Sequence, residues 1–306
     1  MACQFHSNGK LLITGEYAVL DGAVALAIPT VYGQNLKVIE NGSRKLTWKS
    51  IDHFGKTWFE WTFALGIPFS EEMQRLKDPT AKTLANLLAE AKRLNPSFLP
   101  SNGGFAIETH LGFPKEWGLG SSSTLINNIA QWAKIDAYQL LWNAFSGSGY
   151  DIACAQNDTP LLYRLNAGVP EVQPVLFDPL FKKELFFVYL NKKQNSREGI
   201  ARYRDRAFDK DKLVADISSL SKNIVKAGTL SSYEALVLEH EKLISGALGL
   251  PMVKEAKFSD FKGSIKSLGA WGGDFILASG NGGTPGYFKQ KGYDVIIPFS
   301  KMMLHK

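Results

Sequence analysis

Residues 114–124 read Pro114-Lys115-Glu116-Trp117-Gly118-Leu119-Gly120-Ser121-Ser122-Ser123-Thr124 and run straight into Leu125-Ile126-Asn127-Asn128-Ile129-Ala130. Two glycines and a run of hydroxyls ahead of a helix-compatible segment would aim unpaired backbone N–H groups and Ser hydroxyls at one point, as a phosphate group requires. No GxxxxGK[ST] occurs, so this is not the common P-loop. Serine is also a frequent helix cap and glycine a frequent turn residue, so the stretch alone leaves cradle and ordinary capping both open.

The neighbouring sequence frames the loop. Residues 104–109 alternate as a strand and 125–135 have an apolar helical face, giving the order strand, glycine-serine loop, helix. A second helix over 137–145 leads into Ser146-Gly147-Ser148-Gly149-Tyr150-Asp151, where one carboxylate follows a two-glycine turn; it either caps the next helix or faces a ligand. Upstream, 10–14 read as a strand broken by Gly15-Glu16, and 23–28 as an apolar run ended by Pro29. Residues 31–39 form a further strand, with Asn41-Gly42 as a hairpin signal and 45–49 as the return arm. The aromatic stretch 57–66 suits core or a cleft wall, and 80–94 has helical periodicity up to Asn95-Pro96.

Downstream, strands are expected at 160–165, 172–177 and 185–190, with a boundary at Phe177-Asp178-Pro179. Residues 191–206 are polar and basic, suited to solvent or to an anionic substrate. Helices follow at 211–227 and 231–248, the latter with Ser231 and Glu234 as a capping box. Leu268-Gly269-Ala270-Trp271-Gly272-Gly273-Asp274 is a second glycine-rich turn, and strands close the chain at 275–278 and 293–297. This order reads as α+β.

Composition narrows the function. The 35 basic against 29 acidic residues are scattered without a basic arm, which suits an enzyme for anionic metabolites better than a nucleic-acid binder. Cys3 and Cys154 have no metal-site spacing, and no apolar run is long enough to span a membrane. With no signal-like start, a cytoplasmic setting is expected.

At these residues the chain resembles the GHMP superfamily of small-molecule kinases, named for galactokinase, homoserine kinase, mevalonate kinase and phosphomevalonate kinase. Gly9-Lys10-Leu11-Leu12-Ile13-Thr14-Gly15-Glu16-Tyr17-Ala18-Val19-Leu20 is similar to the first motif, 114–124 to the ATP-phosphate loop, and Gly269-Ala270-Trp271-Gly272-Gly273-Asp274 to the third, in the family's order and across nearly the whole chain. The resemblance implies a two-domain α+β fold. Residues 1–178 would be an ATP-binding domain like ribosomal protein S5 domain 2, and 179–306 a ferredoxin-like α/β sandwich.

It also implies ATP and Mg2+, with Gly118, Leu119, Gly120, Ser121, Ser122 and Ser123 around the phosphates and Ser122 on the metal. Asp151 would be the general base and Lys10 its cationic partner. Glu16, Tyr17, Ser148, Gly149, Arg197, Gly272 and Gly273 would lie on the substrate side.

Within the superfamily, Tyr17 and Asp274 look more like phosphomevalonate kinase, and Tyr138-Gln139-Leu140-Leu141 lacks the acid that mevalonate kinases place there. Trp271 and Ser123-Thr124 depart from the usual small residues. The implied activity is phosphoryl transfer from ATP to phosphomevalonate or mevalonate. A diphosphomevalonate decarboxylase-like enzyme and a non-catalytic metabolite-binding protein on the same scaffold are the alternatives. The partners implied are a small-molecule substrate and ATP, with no nucleic acid and no membrane, and the oligomeric state is not legible.

Overall fold

The computed structural model describes residues 2–194 and 196–304. The fold is α+β with mixed sheets, and the chain forms two compact units that alternate along the sequence. The first comprises Met1–Gly9, Tyr32–Lys115 and Gly120–Gln156; the second comprises Lys10–Val31, Glu116–Leu119 and Asn157–Lys306. Phe177-Asp178-Pro179, read above as a boundary, lies inside the second unit.

Strands β1 (Ala2–Leu12) and β2 (Ala25–Glu40) contribute residues to both units. The first unit adds β3 (Lys45–Ile51), β4 (Thr57–Ala64), α1 (Phe69–Arg75), α2 (Pro79–Leu94), β5 (Phe105–Leu111), α3 (Ser121–Ala133), α4 (Ala137–Ala144) and α5 (Tyr150–Gln156). Its strands run in the order β4-β3-β5-β2. The hairpin expected at Asn41-Gly42 does not form: β5 lies between the two arms, antiparallel to β2 and parallel to β3. Gly104 explains the insertion, because Asn41 N–H donates to its carbonyl at 2.9 Å and a Cβ there would collide with the backbone of Ser43. Against this sheet α2 sets Ala81, Leu84, Leu87, Leu88 and Ala91, all buried and at helical spacing. Asp78 caps α2 by accepting from Ala81 N–H at 2.8 Å.

The second unit adds β6 (Leu161–Asn166), β7 (Val169–Pro174), β8 (Leu185–Tyr189), α6 (Ser196–Asp205), α7 (Lys210–Val225), α8 (Leu230–Leu248), α9 (Val253–Lys257), β9 (Ile265–Ser267), β10 (Phe275–Ser279), α10 (Thr284–Gln290), β11 (Ile296–Pro298) and α11 (Phe299–Met302). Here Ala25, Leu26 and Ala27 of β2 pair with β6, which pairs with β7. Pro29 does not end β2 as expected; it falls between the residues that pair with β6 and those that pair with β5, where its missing N–H leaves the β5 and β6 ladders intact. A four-stranded antiparallel sheet follows in the order β11-β8-β10-β9. Every residue of β10 is buried, so both of its faces are covered and its sequence does not alternate. The cap of α8 is Thr229 with Ser232, two residues before the expected Ser231-Glu234 pair. Among the described residues no helix is long and apolar enough to cross a membrane.

Candidate functional site

In the first unit, α3 starts on Gly120, whose φ of +89° only glycine adopts without strain, and no side chain caps the helix. Thr124 N–H and the Ser123 hydroxyl both donate to the Gly120 carbonyl, at 3.0 and 2.9 Å. The buried Thr124 hydroxyl donates to Gln34 Oε1 at 2.6 Å. Ser123 and Thr124 therefore turn inward, while Ser121 is half-buried and Ser122 exposed. Both border a cleft of about 320 Å³ whose walls include Gln34, Trp58, Phe59, Leu87 and Lys115. Lys115 Nζ stands 3.6 Å over the centre of the Trp58 ring. An aromatic slot with a cation at its wall and an uncapped helix start at one end suits a planar ring carrying an anionic tail.

Asp151 occupies the first turn of α5. It is half-buried, and its Oδ1 accepts from Ile152 N–H at 3.1 Å. Gly147 and Gly149, with φ of +138° and +90°, bend the chain into that turn, and Ser148 between them is buried.

In the second unit, Lys10 holds the beginning of the glycine loop. Its backbone N–H donates to the Leu119 carbonyl at 2.9 Å and its ammonium to the Gly118 carbonyl at 2.7 Å. The Asp274 carboxylate lies against Gly118, where a Cβ would collide with it. Asp274 Oδ1 accepts from Gln194 N–H at 3.2 Å, and Gly273 is closed in by Gln194. Burial raises the Asp274 pKa, with the Gln194 N–H and the charges of Lys10 and Lys193 pulling the other way. Lys10, Gly118, Leu119 and Gly273 are thus brought together. Gly272, with φ of +79°, has open space around it, and Arg197 is exposed on α6.

Glu16 and Tyr17 are enclosed in the same unit. Tyr17 Oη accepts from Trp271 N–H at 2.9 Å, and its ring stacks on Tyr203. Glu16 is 1% exposed and pairs with Lys266, which also bonds Glu241 at 2.9 Å. His240 Nε2 accepts from Gly15 N–H at 3.0 Å, so a neutral ring carries its proton on Nδ1. Glu16 Oε2 lies 3.5 Å from that Nε2 and has no hydrogen-bond partner among the described residues. Burial and the nearby Glu241 push the Glu16 pKa up to about 7 against the pull of Lys266. Burial and Lys266 hold His240 well below its ordinary value.

Trp58 lies in the stretch 57–66 read above as core or a cleft wall, whereas sequence reasoning missed Gln34, Lys115, His240, Glu241 and Lys266. The one available signal was on α8, where Val237, His240, Glu241 and Ile244 form a single helical stripe with two polar members.

Among the described residues no group of three His, Cys, Asp or Glu is placed to hold a metal ion. Ser122, expected above to meet a metal, presents an exposed hydroxyl oxygen, a donor type that a divalent cation accepts.

No protein-family model matches the sequence, and no curated protein matches it. Solved structures do. Methanococcus jannaschii mevalonate kinase superposes with a TM-score of 0.73 at 14% identity, over 100% of this chain and 99% of that one. Streptococcus pneumoniae phosphomevalonate kinase in complex with phosphomevalonate and AMPPNP gives 0.68 at 16% identity, over 99% and 98%. Lactococcus lactis galactokinase complexed with galactose gives 0.65 at 14% identity, over 94% and 88%. At these identities the likeness is one of fold, and the fold of this chain is the one these small-molecule kinases have in common.

Proposed function

We propose that the protein is an ATP- and Mg2+-dependent kinase of the GHMP type, transferring the γ-phosphoryl group to phosphomevalonate or mevalonate. The observation that carries this reading is the uncapped start of α3 at the end of the aromatic cleft. Trp58 would hold the planar base, and the backbone N–H groups of residues 121–123 with the Ser122 hydroxyl would hold the phosphates. Bound Mg2+ supplies charge neutralisation on the phosphates. Lys10 fixes Gly118 through its carbonyl.

Asp151 is assigned as the base, and Ser148 and Gly149 face the acceptor beside it. Its role depends on the acceptor. A hydroxyl must lose a proton to become a nucleophile, so Asp151 Oδ2 would take it. A phosphomonoester, with a second pKa of about 6, is already largely deprotonated at pH 7, and Asp151 would then only orient it.

The test is an ADP-release screen with mevalonate, phosphomevalonate, diphosphomevalonate, homoserine and simple sugars, with product masses. Carbon dioxide release with diphosphomevalonate would assign a decarboxylase instead. Asp151→Asn should lower kcat by about 10²-fold or more for a hydroxyl acceptor and far less for a phosphate acceptor. No ADP release with any acceptor would overturn the reading.

A further inference from the structure

Helix α3 buries amides where an apolar face would serve its packing. Ser7 and Asn128 are 0% and Asn127 2% exposed, side by side with Ile126, Ile129 and Ala130. Their hydrogen bonds run in one direction. Gln156 Nε2, at the end of α5, donates to Asn127 Oδ1 at 3.0 Å. Asn127 Nδ2 donates to Ser7 Oγ on β1 at 2.8 Å and, at 3.4 Å, to the Ala155 carbonyl. Ser7 Oγ gives its single proton to Asn128 Oδ1 at 2.8 Å, and Asn128 Nδ2 donates to the Gln34 carbonyl on β2 at 3.0 Å. Gln34 in turn lines the cleft beside Ser121 and takes the Thr124 hydroxyl on its side chain.

Each position in this series is a donor facing an acceptor, so reversing any amide would set donor against donor or acceptor against acceptor. A satisfied buried amide adds little net stability, whereas an unsatisfied one is costly. Stability alone therefore gives little reason for the series; fixed direction and spacing give one.

We propose that Asn127 is a positioning residue that sets the distance between the start of α3 and α5, the helix whose first turn carries Asp151. Helix α5 is a single seven-residue body. At 1.5 Å per residue, Asp151 lies about 7.5 Å along it from Gln156, so a shift at the Gln156 end reaches the carboxylate. The consequence for turnover rests on the kinase reading; the link between α3 and α5 rests on the hydrogen bonds alone.

Two variants test it. Asn127→Leu removes the hub, and Gln156→Ala removes the exposed donor without opening the core, so it remains informative if the first does not fold. In the nucleotide-free full chain, amide hydrogen exchange over residues 152–156 should lose about tenfold protection in both variants while α2 is unchanged. Unchanged protection of α5 in Gln156→Ala overturns the proposal.

With the acceptor found by the ADP-release screen, kcat should fall about tenfold or more with KM for ATP within about twofold, because misplacement acts on the transition state. A raised KM with unchanged kcat also overturns it. If the wild-type protein releases no ADP with any acceptor, the kinase reading fails while the exchange measurement still decides the link.

Discussion

Asn127 in the first unit and Lys266 in the second hold comparable places, each enclosed and each joining several elements, yet they are satisfied in opposite ways. Asn127 sits in a series of neutral amides in which every proton has one destination. Lys266, on β9, is a full charge shared between Glu16, next to Gly15, and Glu241 on α8. Two carboxylates to one ammonium leave the cluster a charge out of balance unless one acid holds a proton. The difference teaches that the amide series fixes geometry at small energetic risk and no pH dependence, whereas the charged cluster ties strands and helix together at high stakes and responds to protons.

The sharpest way to break this contrast is to remove each hub. Lys266→Met leaves two buried carboxylates without their cation and should cost about 3–5 kcal/mol of unfolding free energy, measured by urea denaturation. Asn127→Leu should cost about 1–3 kcal/mol in the same assay. Equal losses would mean that the charges of the cluster are not special.

Titration sharpens it next. In the folded protein Glu16 keeps its proton up to about pH 7, and burial beside Lys266 holds the His240 pKa well below its ordinary value. In the unfolded chain Glu16 titrates near 4.5 and His240 near 6.5, the ordinary values. Alone, Glu16 makes stability fall as pH rises from 4.5 to about 7, and His240 makes it rise up to 6.5. Below pH 6.5 the two slopes therefore oppose one another. Glu16→Gln should remove the falling contribution and leave the rising one of His240, so that its stability climbs more steeply toward pH 6.5 than that of the wild type. Denaturation midpoints at a series of pH values check this, and parallel curves would put the proton elsewhere.

Smaller effects are expected at the glycine loop. Gly118→Ala combines a positive φ with a collision against Asp274 and should cost about 2 kcal/mol or more. Gly120→Ala places a side chain at a φ of +89° and should cost about 1–2 kcal/mol through the backbone, measured by thermal denaturation. Lys115→Met removes the cation over Trp58 and should change stability by no more than about 1 kcal/mol.

Much of this frame was legible in the sequence because local signals and burial agree there. The periodicity of α2, the turn at Gly118 and Gly120, and the helix after it all appear where their residues place them. The strand order was not legible, since Asn41-Gly42 is a local hairpin signal and the competitor, β5, lies more than sixty residues away in sequence. The site divides in the same way. Lys10 and Gly118 stand in motifs and could be singled out, but Asn127 and Asn128 read only as part of a helix, and Lys266 as an isolated charge in a short strand. Their meaning comes from partners 25 to 250 residues distant, which no window of sequence contains.

The stacking of Lys115 on Trp58 has a further, spectroscopic consequence. Trp58 is the most exposed of the chain's seven tryptophans, at 41%, and it forms part of the cleft wall. Indole emission depends on the charge near the ring and on its contact with water. A ligand that slides over Trp58 and draws the ammonium toward its own negative charge changes both at once, so the unlabelled protein carries its own optical reporter for occupancy of the cleft. Trp58→Phe should silence that signal while leaving the other six indoles emitting.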